Sequence, residues 1–489
     1  MGRHTWDLRP SPTSQSLQSA QSSRSAQSAQ SSAQEAQQIV NLTELLVSRI
    51  SDFEAARPNI LRAVPCCEVL RSLGGALRGI RPRRNPSFTT ATIMEFWSHS
   101  WHGGVWIKVL TMFMLKNGPM AVCFGWLGAL LMAALFATGM LPSYERVPFL
   151  QTGARMYPFG PWSLCTATLV ATFTLRCWRR KTSVFLDVLC IDQDDARLKT
   201  EALLSIGAFL KKSQSLHVFW DETWVRRLWC VFELAAFIKS HGKEDVAANL
   251  VIRPTLLGTC SVSIFGGCFV TSLAFLCVPF DDFELGYVLF AVGAFLGSYY
   301  AISSMRRFYA SVEILLQQLA GFRLEQALSH CCTTGHRNSD GEVVMCDREI
   351  IQLCISKWFG SVEQFEASVR SDLSGALSDQ LGNGSFSYLW LILVTSPIQW
   401  SHLDMVAARL SADDWSGAAV TATINLTYAC WAFPSICRFA MLLACRARHP
   451  CSGFVADQLK TLMVFSLCVP ISLVFTTLLP GRSNADMLS

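Results

Sequence analysis

Glu233 is the first residue in this sequence placed to do chemistry. It lies in VRRLWCVFELAAFIK, where Val225, Leu228, Trp229 and Phe232 recur at helical spacing. On such a helix its neighbours three and four residues away are Cys230, Ala236, Trp229 and Phe237, none of them positively charged. A carboxylate one turn from Trp229, beside an apolar stripe, is partly desolvated. That raises its pKa and suits it to acid–base work or to holding a sugar hydroxyl. The structural alternative is an ion pair with Arg226, Arg227 or an arginine elsewhere in the fold.

Two further groups carry chemistry. In CCTTGHRNSDGEVVMC, the side chains of Cys331, Cys332, His336 and Cys346 are four soft ligands around a glycine-containing turn, a set that can hold a tetrahedral zinc and staple a small domain. The adjacent cysteine pair differs from the usual C-x2-C knuckle, and buried free thiols are the alternative. The other group is spread over two segments, Ser98, His99, Ser100 and Trp101 in FWSHSW, and Asp187 and Asp192 in FLDVLCIDQ. The two aspartates can hold ribose hydroxyls or cap the turn after a strand, and His99 can act as a base or as a hydrogen-bonded structural residue.

These residues need elements to position them. Ser183 to Ile191 is a β-rich run, Leu203, Ile206, Gly207 and Leu210 share a helical face, Leu216 to Trp220 reads as a strand, and the Glu233 helix follows. Strand, helix, strand, helix is the pattern of a parallel sheet. The unit is one strand short, and Ile93 to His102 supplies a candidate from before the first apolar block. A hairpin of two membrane spans returns the chain to the side it left, so 91–116 and 176–250 are expected to form one domain with 117–175 inserted.

The remaining residues set the setting. Of the 489 residues, 51% are hydrophobic and 16% charged, with mean hydropathy +0.32, a balance unlike a soluble enzyme. The charge-free residues fall into blocks at 117–142, 156–175, 254–280, 285–305, 380–403, 415–437 and 461–481, each near the 20 residues a membrane-crossing helix needs. The expected architecture is a multi-pass α-helical membrane protein of about seven spans, carrying a cytosolic α/β domain split by the first two. With the N-terminus cytosolic, Lys108, Lys116, Arg176, Arg179, Arg180, Arg306, Arg307, Arg446 and Arg448 fall inside, against Arg146, Arg155, Arg409 and Arg482 outside. The 19 cysteines avoid the outer turns and are expected to be reduced.

Residues 1–90 are expected to hold a low-complexity Ser/Gln/Ala tail, a short amphipathic helix from Ile39 to Phe53, and a basic linker facing lipid headgroups. The second hairpin is 254–305, a cytosolic helical region occupies 306–383, and three more spans and a tail fill 384–489. A net charge of +5 gives no support for a nucleic-acid partner; the bilayer is the expected one.

The order FWSHSW, FLDVLCIDQ, a strand, then RLWCVFELAAF resembles the TIR and heterokaryon-incompatibility superfamily, and is most similar to multi-pass TIR-like membrane proteins of unicellular algae. The resemblance covers about a hundred residues, with RLWCVFEL its most specific part. It implies a serine-containing box at Ser98 to Trp101 ending the first strand, an acidic residue at Asp187 on the second, and a W-C-x-x-E-L motif at Trp229, Cys230, Glu233 and Leu234. It further implies TIR-like self-association in signalling. Where such domains cleave NAD, the glutamate matching Glu233 acts at the nicotinamide ribose, with Ser98, His99, Ser100, Trp101, Asp187, Asp192 and Trp229 around the substrate. The expected function is membrane-anchored signalling through this domain, with a nicotinamide-releasing NAD hydrolase as the first alternative and a channel or passive transporter as the second.

Overall fold

The computed structural model describes residues 37–38, 40–82, 84–146, 156–277, 283–336, 346–373, 380 and 386–478; most of the low-complexity tail and the acidic turn at Asp281 and Asp282 lie outside them. The strands are β1 (Arg62–Pro65), β2 (Phe88–Thr89), β3 (Ile93–His99), β4 (Tyr144–Arg146), β5 (Tyr157–Phe159), β6 (Ser183–Phe185), β7 (Ser213–Trp220) and β8 (Leu250–Pro254). The main sheet has the order β2-β1-β6-β3-β7-β8. Its block β6-β3-β7-β8 is parallel, with Phe96 opposite both Phe185 and Leu216, and Val218 opposite Ile252. Strands covered on both faces read as continuous apolar runs, and in IMEFWSH every residue but Met94 is buried.

The crossovers explain how a membrane insertion leaves this sheet intact. The helices are α1 (40–51), α2 (Cys66–Gly74), α3 (Val105–Ala137), α4 (Trp162–Cys177), α5 (Asp187–Cys190), α6 (Ala196–Leu204), α7 (Ile206–Lys211), α8 (Leu228–Asn249), α9 (Leu256–Cys277), α10 (Phe283–Ala320), α11 (His330–Thr333) and α12 (Asp347–Phe359). Helix α3 follows β3 and has 33 residues, about 50 Å of helix against a hydrocarbon core of about 30 Å. Its first third buries Val109, Met112 and Phe113 in the same core as the sheet. Farther along, Ala129 and Ala133 pack with Leu164 and Ala167 of α4 in a separate cluster. One continuous helix is therefore both the covering helix of the sheet and the start of the apolar bundle. Lys116 and Asn117, expected to mark the boundary between the domain segment 91–116 and the first span, lie inside it.

Among the described residues, four helical stretches, Val105–Ala137, Leu256–Leu276, Val288–Ala320 and Trp415–Arg446, are long and apolar enough to cross a membrane. Leu127, Leu130 and Leu131 of α3 and Leu169 and Phe173 of α4 face outward, as lipid-facing residues would. The expected span at 156–175 is the 16-residue α4, about 24 Å long. The one at 380–403 is broken at Thr395, which caps Tyr388–Val394 and precedes Ser396–Ser411 with Pro397 in its first turn. The block at 461–481 lies largely in the helix Phe454–Leu478.

At the end of α3 far from the sheet, β4 pairs with β5. Tyr144 Oη there donates to Leu276 O at 2.5 Å, Tyr157 Oη donates to Asp414 Oδ2 at 2.9 Å, and Arg409 pairs with Asp414 at 2.8 Å. Of the arginines expected outside, the described Arg146 and Arg409 lie at this end of the bundle.

Helices α9 and α10 touch backbone to backbone. A Cβ on Gly267 would stand 2.5 Å from Gly297 O, and one on Gly297 would stand 2.6 Å from Gly267 O. Small residues permit such approach between apolar helices. Gly297→Ala must therefore push the helices apart, and the thermal midpoint in detergent should fall by an amount corresponding to about 1–3 kcal/mol; an unchanged midpoint would mean the contact is not needed.

Two regions differ from expectation. The basic stretch read as a solvated linker is folded: β1 pairs antiparallel with β6, and Ala63, Val64, Cys66 and Val69 are fully buried. Its arginines lie around that buried run, and Arg62 donates to Ser87 Oγ and Ser87 O at 2.8 and 2.6 Å. Helix α1 packs through Thr43, Val47 and Ile50, while Leu42 and Leu45, expected on its apolar stripe with Ile50, are exposed. The 306–383 region, expected as a separate helical unit, joins the same core. Trp358 of α12 stacks between Phe53 and Phe232, at 5.1 and 5.4 Å between ring centres.

Candidate functional site

The parallel block begins at β3, steps outward to β6 and then returns to the other side of β3 at β7. Between β3 and β7 the connections leave in opposite directions, to β6 and to β8, and in open α/β sheets ligands bind at the carboxyl ends of the strands at such a point. β3 ends in Ser98 and His99, β6 is followed by Asp187 at the start of α5, and β7 is followed by Asp221. Helix α8 returns from β7 and brings Glu233 to the same edge.

Ser98 Oγ donates to Glu233 Oε2 at 2.5 Å and accepts from Trp224 Nε1 at 3.0 Å. Glu233 keeps some solvent contact, yet burial pushes its carboxyl up to about 8, with Asp187 adding to the rise and Ser98 and Arg227 opposing it. The arginine pair weighed from sequence is replaced by a serine bond. Trp101 Nε1 donates to Asp187 Oδ2 at 3.1 Å, and the Trp101 and His99 rings meet edge to face at 4.4 Å. His99 is buried, its Nε2 has no hydrogen-bond partner, and burial holds its pKa down at about 4. Ser98, His99, Trp101, Asp187 and Glu233 therefore share one edge. Five groups that accept, donate or carry a proton converge there, and one buried ring nitrogen among them has unused bonding capacity.

Ser100 plays a supporting role. Its Oγ accepts from Thr223 Oγ1 at 2.7 Å, and its carbonyl accepts from Lys108 Nζ. Lys108 also pairs with Asp221 at 3.0 Å, both nearly buried, so the first turn of α3 is pinned to the ends of β3 and β7. Cys230 Sγ donates to His99 O at 3.5 Å. Sequence reasoning missed Lys108, Asp221 and Trp224. The signal available for Asp221 was an acidic residue directly after a strand.

Two expected site residues lie elsewhere. Asp192 is exposed, and its Oδ1 accepts from the backbone N–H groups of Asp194 and Asp195 at 3.0 and 3.2 Å, a turn cap and not a ligand contact. Trp229 is one turn from Glu233, but its Nε1 donates to Asp347 Oδ2 at 3.3 Å, toward the 306–383 region.

That stretch holds the thiol–imidazole group. Cys331 and Cys332 sit on α11, His336 follows Gly335 with both in the left-handed region at φ 59° and 66°, and Cys346 immediately precedes α12. The ligand atoms of Cys331, Cys332, His336 and Cys346 lie within 4.8 Å of one another. These four residues could hold a metal ion.

The buried titrating groups give the domain a defined pH response. His99 and His217 both titrate near 4 when folded, so each resists a proton that the unfolded chain takes up near 6.5. Their stabilisation is lost as pH falls from 6.5 toward 4. Glu233 behaves oppositely: folded near 8 and unfolded near 4.5, it loses its contribution as pH rises toward 8. Of these three groups, the two histidines outweigh Glu233 below 6.5, and only Glu233 acts above. Thermal stability should peak near pH 6.5 and fall by about 2 kcal/mol by pH 8. In a thermal-unfolding series Glu233→Gln should flatten the alkaline limb only; an unaltered limb would assign it to another group.

No family model, curated protein or solved structure matches the chain.

Proposed function

We propose that the chain is a membrane-anchored signalling protein that acts through a cytosolic TIR-like domain, and that the crevice between β3 and β7 takes NAD. The observation that carries this is the pairing of Ser98 with Glu233 at the point where the parallel sheet changes direction. Ser98 Oγ, Asp187 and His99 Nε2 supply donors and acceptors for ribose hydroxyls and amide groups, while Trp101 offers an aromatic wall. The bilayer anchors the domain through the proposed seven spans, with the domain on the side richer in Lys and Arg.

The domain can signal by association alone, with TIR-like self-association as the partner mode. Glu233 favours the second reading, NAD hydrolysis. A pyridinium bound beside it lowers its pKa and leaves a carboxylate facing the ribose. As the C1′–N bond breaks, its electron pair leaves with nicotinamide and positive charge grows on the ribose; water then adds to C1′ and releases a proton. A carboxylate in a water-poor site stabilises that charge. Zinc enters the same proposal as a structural ion at Cys331, Cys332, His336 and Cys346, outside the reaction. Incubating the full-length protein with NAD and following nicotinamide separates the readings: release that depends on Glu233 supports the enzyme, and signalling by association without release supports the scaffold.

A further inference from the structure

Resting on the zinc reading, we infer that the ion at Cys331, Cys332, His336 and Cys346 is a latch on the first turn of α8, the helix that presents Glu233 to the crevice. A tetrahedral site with Zn–S bonds of about 2.3 Å separates its sulfurs by about 3.8 Å. Here Cys331 and Cys332 Sγ are 3.9 Å apart, and Cys332 and Cys346 Sγ 3.7 Å. The surroundings suit thiolates as well. The Asp347 N–H points at Cys331 Sγ from 3.3 Å, and Ser329 Oγ lies 3.1 Å from the same sulfur. Groups of this kind orient metal ligands and disperse their charge.

The residues that flank the ligands are the ones that grip α8. Leu328, three residues before Cys331, forms a parallel bridge with Arg227: Leu228 N donates to Leu328 O at 3.1 Å, and Leu328 N donates to Arg226 O at 2.5 Å. Asp347, next to Cys346, accepts from Ser329 Oγ at 3.1 Å and from Trp229 Nε1 at 3.3 Å through the same oxygen. The ligands thus tie together two chain segments, 328–332 and 346–347, whose outer faces hold 226–229. Glu233 lies one turn beyond. Without the ion, nothing covalent or coordinate joins Cys331 to Cys346, and the bridge at Leu328 is two hydrogen bonds at a helix start. With it, the first turn of α8 is fixed relative to the strand ends, so metal occupancy sets how Glu233 meets Ser98.

Full-length protein in detergent, stripped of metal with a chelator and retitrated, tests ion and latch separately. Zinc should return at one per chain, and cobalt(II) in its place should give the intense visible bands of a tetrahedral thiolate site. Cys332→Ser together with Cys346→Ser should abolish both. Amide exchange at Leu228 and Leu328 should speed up at least tenfold in stripped protein, while β7 amides stay unchanged. No zinc uptake and no cobalt spectrum by the wild type overturns the zinc reading and the latch together. Zinc uptake with unchanged exchange at Leu228 and Leu328 leaves the site standing and overturns the latch.

Discussion

Lys116→Met should lower the stability of the protein by about 3–5 kcal/mol, the cost of leaving a buried charge without its partner. Lys116 Nζ lies 2.5 Å from Glu95 Oε2 with both side chains largely buried, and Trp97 Nε1 donates to the same oxygen at 2.7 Å. Burial alone would raise the Glu95 carboxyl, but His217 and Lys116 nearby, with the bonds from Lys116 and Trp97, hold it below its usual range. The pair joins the middle strand of the sheet to the point where α3 leaves the domain, so its loss loosens the domain on its stalk. The double change Glu95→Gln with Lys116→Met removes both charges and should recover most of the stability. Thermal and denaturant unfolding of the single and double variants checks this; a Lys116→Met protein as stable as wild type would show that the pair is not structural.

Glu233→Gln should reduce nicotinamide release at least about 100-fold, since it keeps the shape and the bond to Ser98 but removes the carboxylate that stabilises the ribosyl charge. The loss should fall on kcat, with KM for NAD little changed. In the free protein this carboxyl titrates near 8, and its active form is the carboxylate. For the wild type kcat/KM should therefore rise with pH along a limb centred near 8. The limb should vanish with the glutamate. Rates measured from pH 6 to pH 9 read both effects, and a limb that survives Glu233→Gln would place the titrating group elsewhere.

Local pattern carried part of this fold and site. β3 and the Glu233 helix are legible because each buries a continuous or regularly spaced apolar set, and the parallel pairing of β3 with β6 and β7 follows from strands that alternate with helices. Strand β1 was not legible: four residues including Pro65, in a run rich in arginine, give too short a signal, and only its partner β6 makes it a strand. The passage of α3 from domain to bundle was hidden by Lys116, whose charge reads as a boundary unless its neutralisation by Glu95 is known. Partners far apart in sequence were equally invisible. Helical spacing put Trp229 beside Glu233, but Asp347, 118 residues away, turns its ring aside. Ser98 reaches Glu233 across 135 residues, and the sequence suggested that meeting only through the order of its segments.

Nicotinamide release by the full-length protein, wild type against Glu233→Ala, tests the central claim most directly. The account predicts steady release by the wild type and a loss of at least about 100-fold in the variant. Release at the same rate from both, or a wild-type protein that neither binds NAD nor releases nicotinamide, would contradict it.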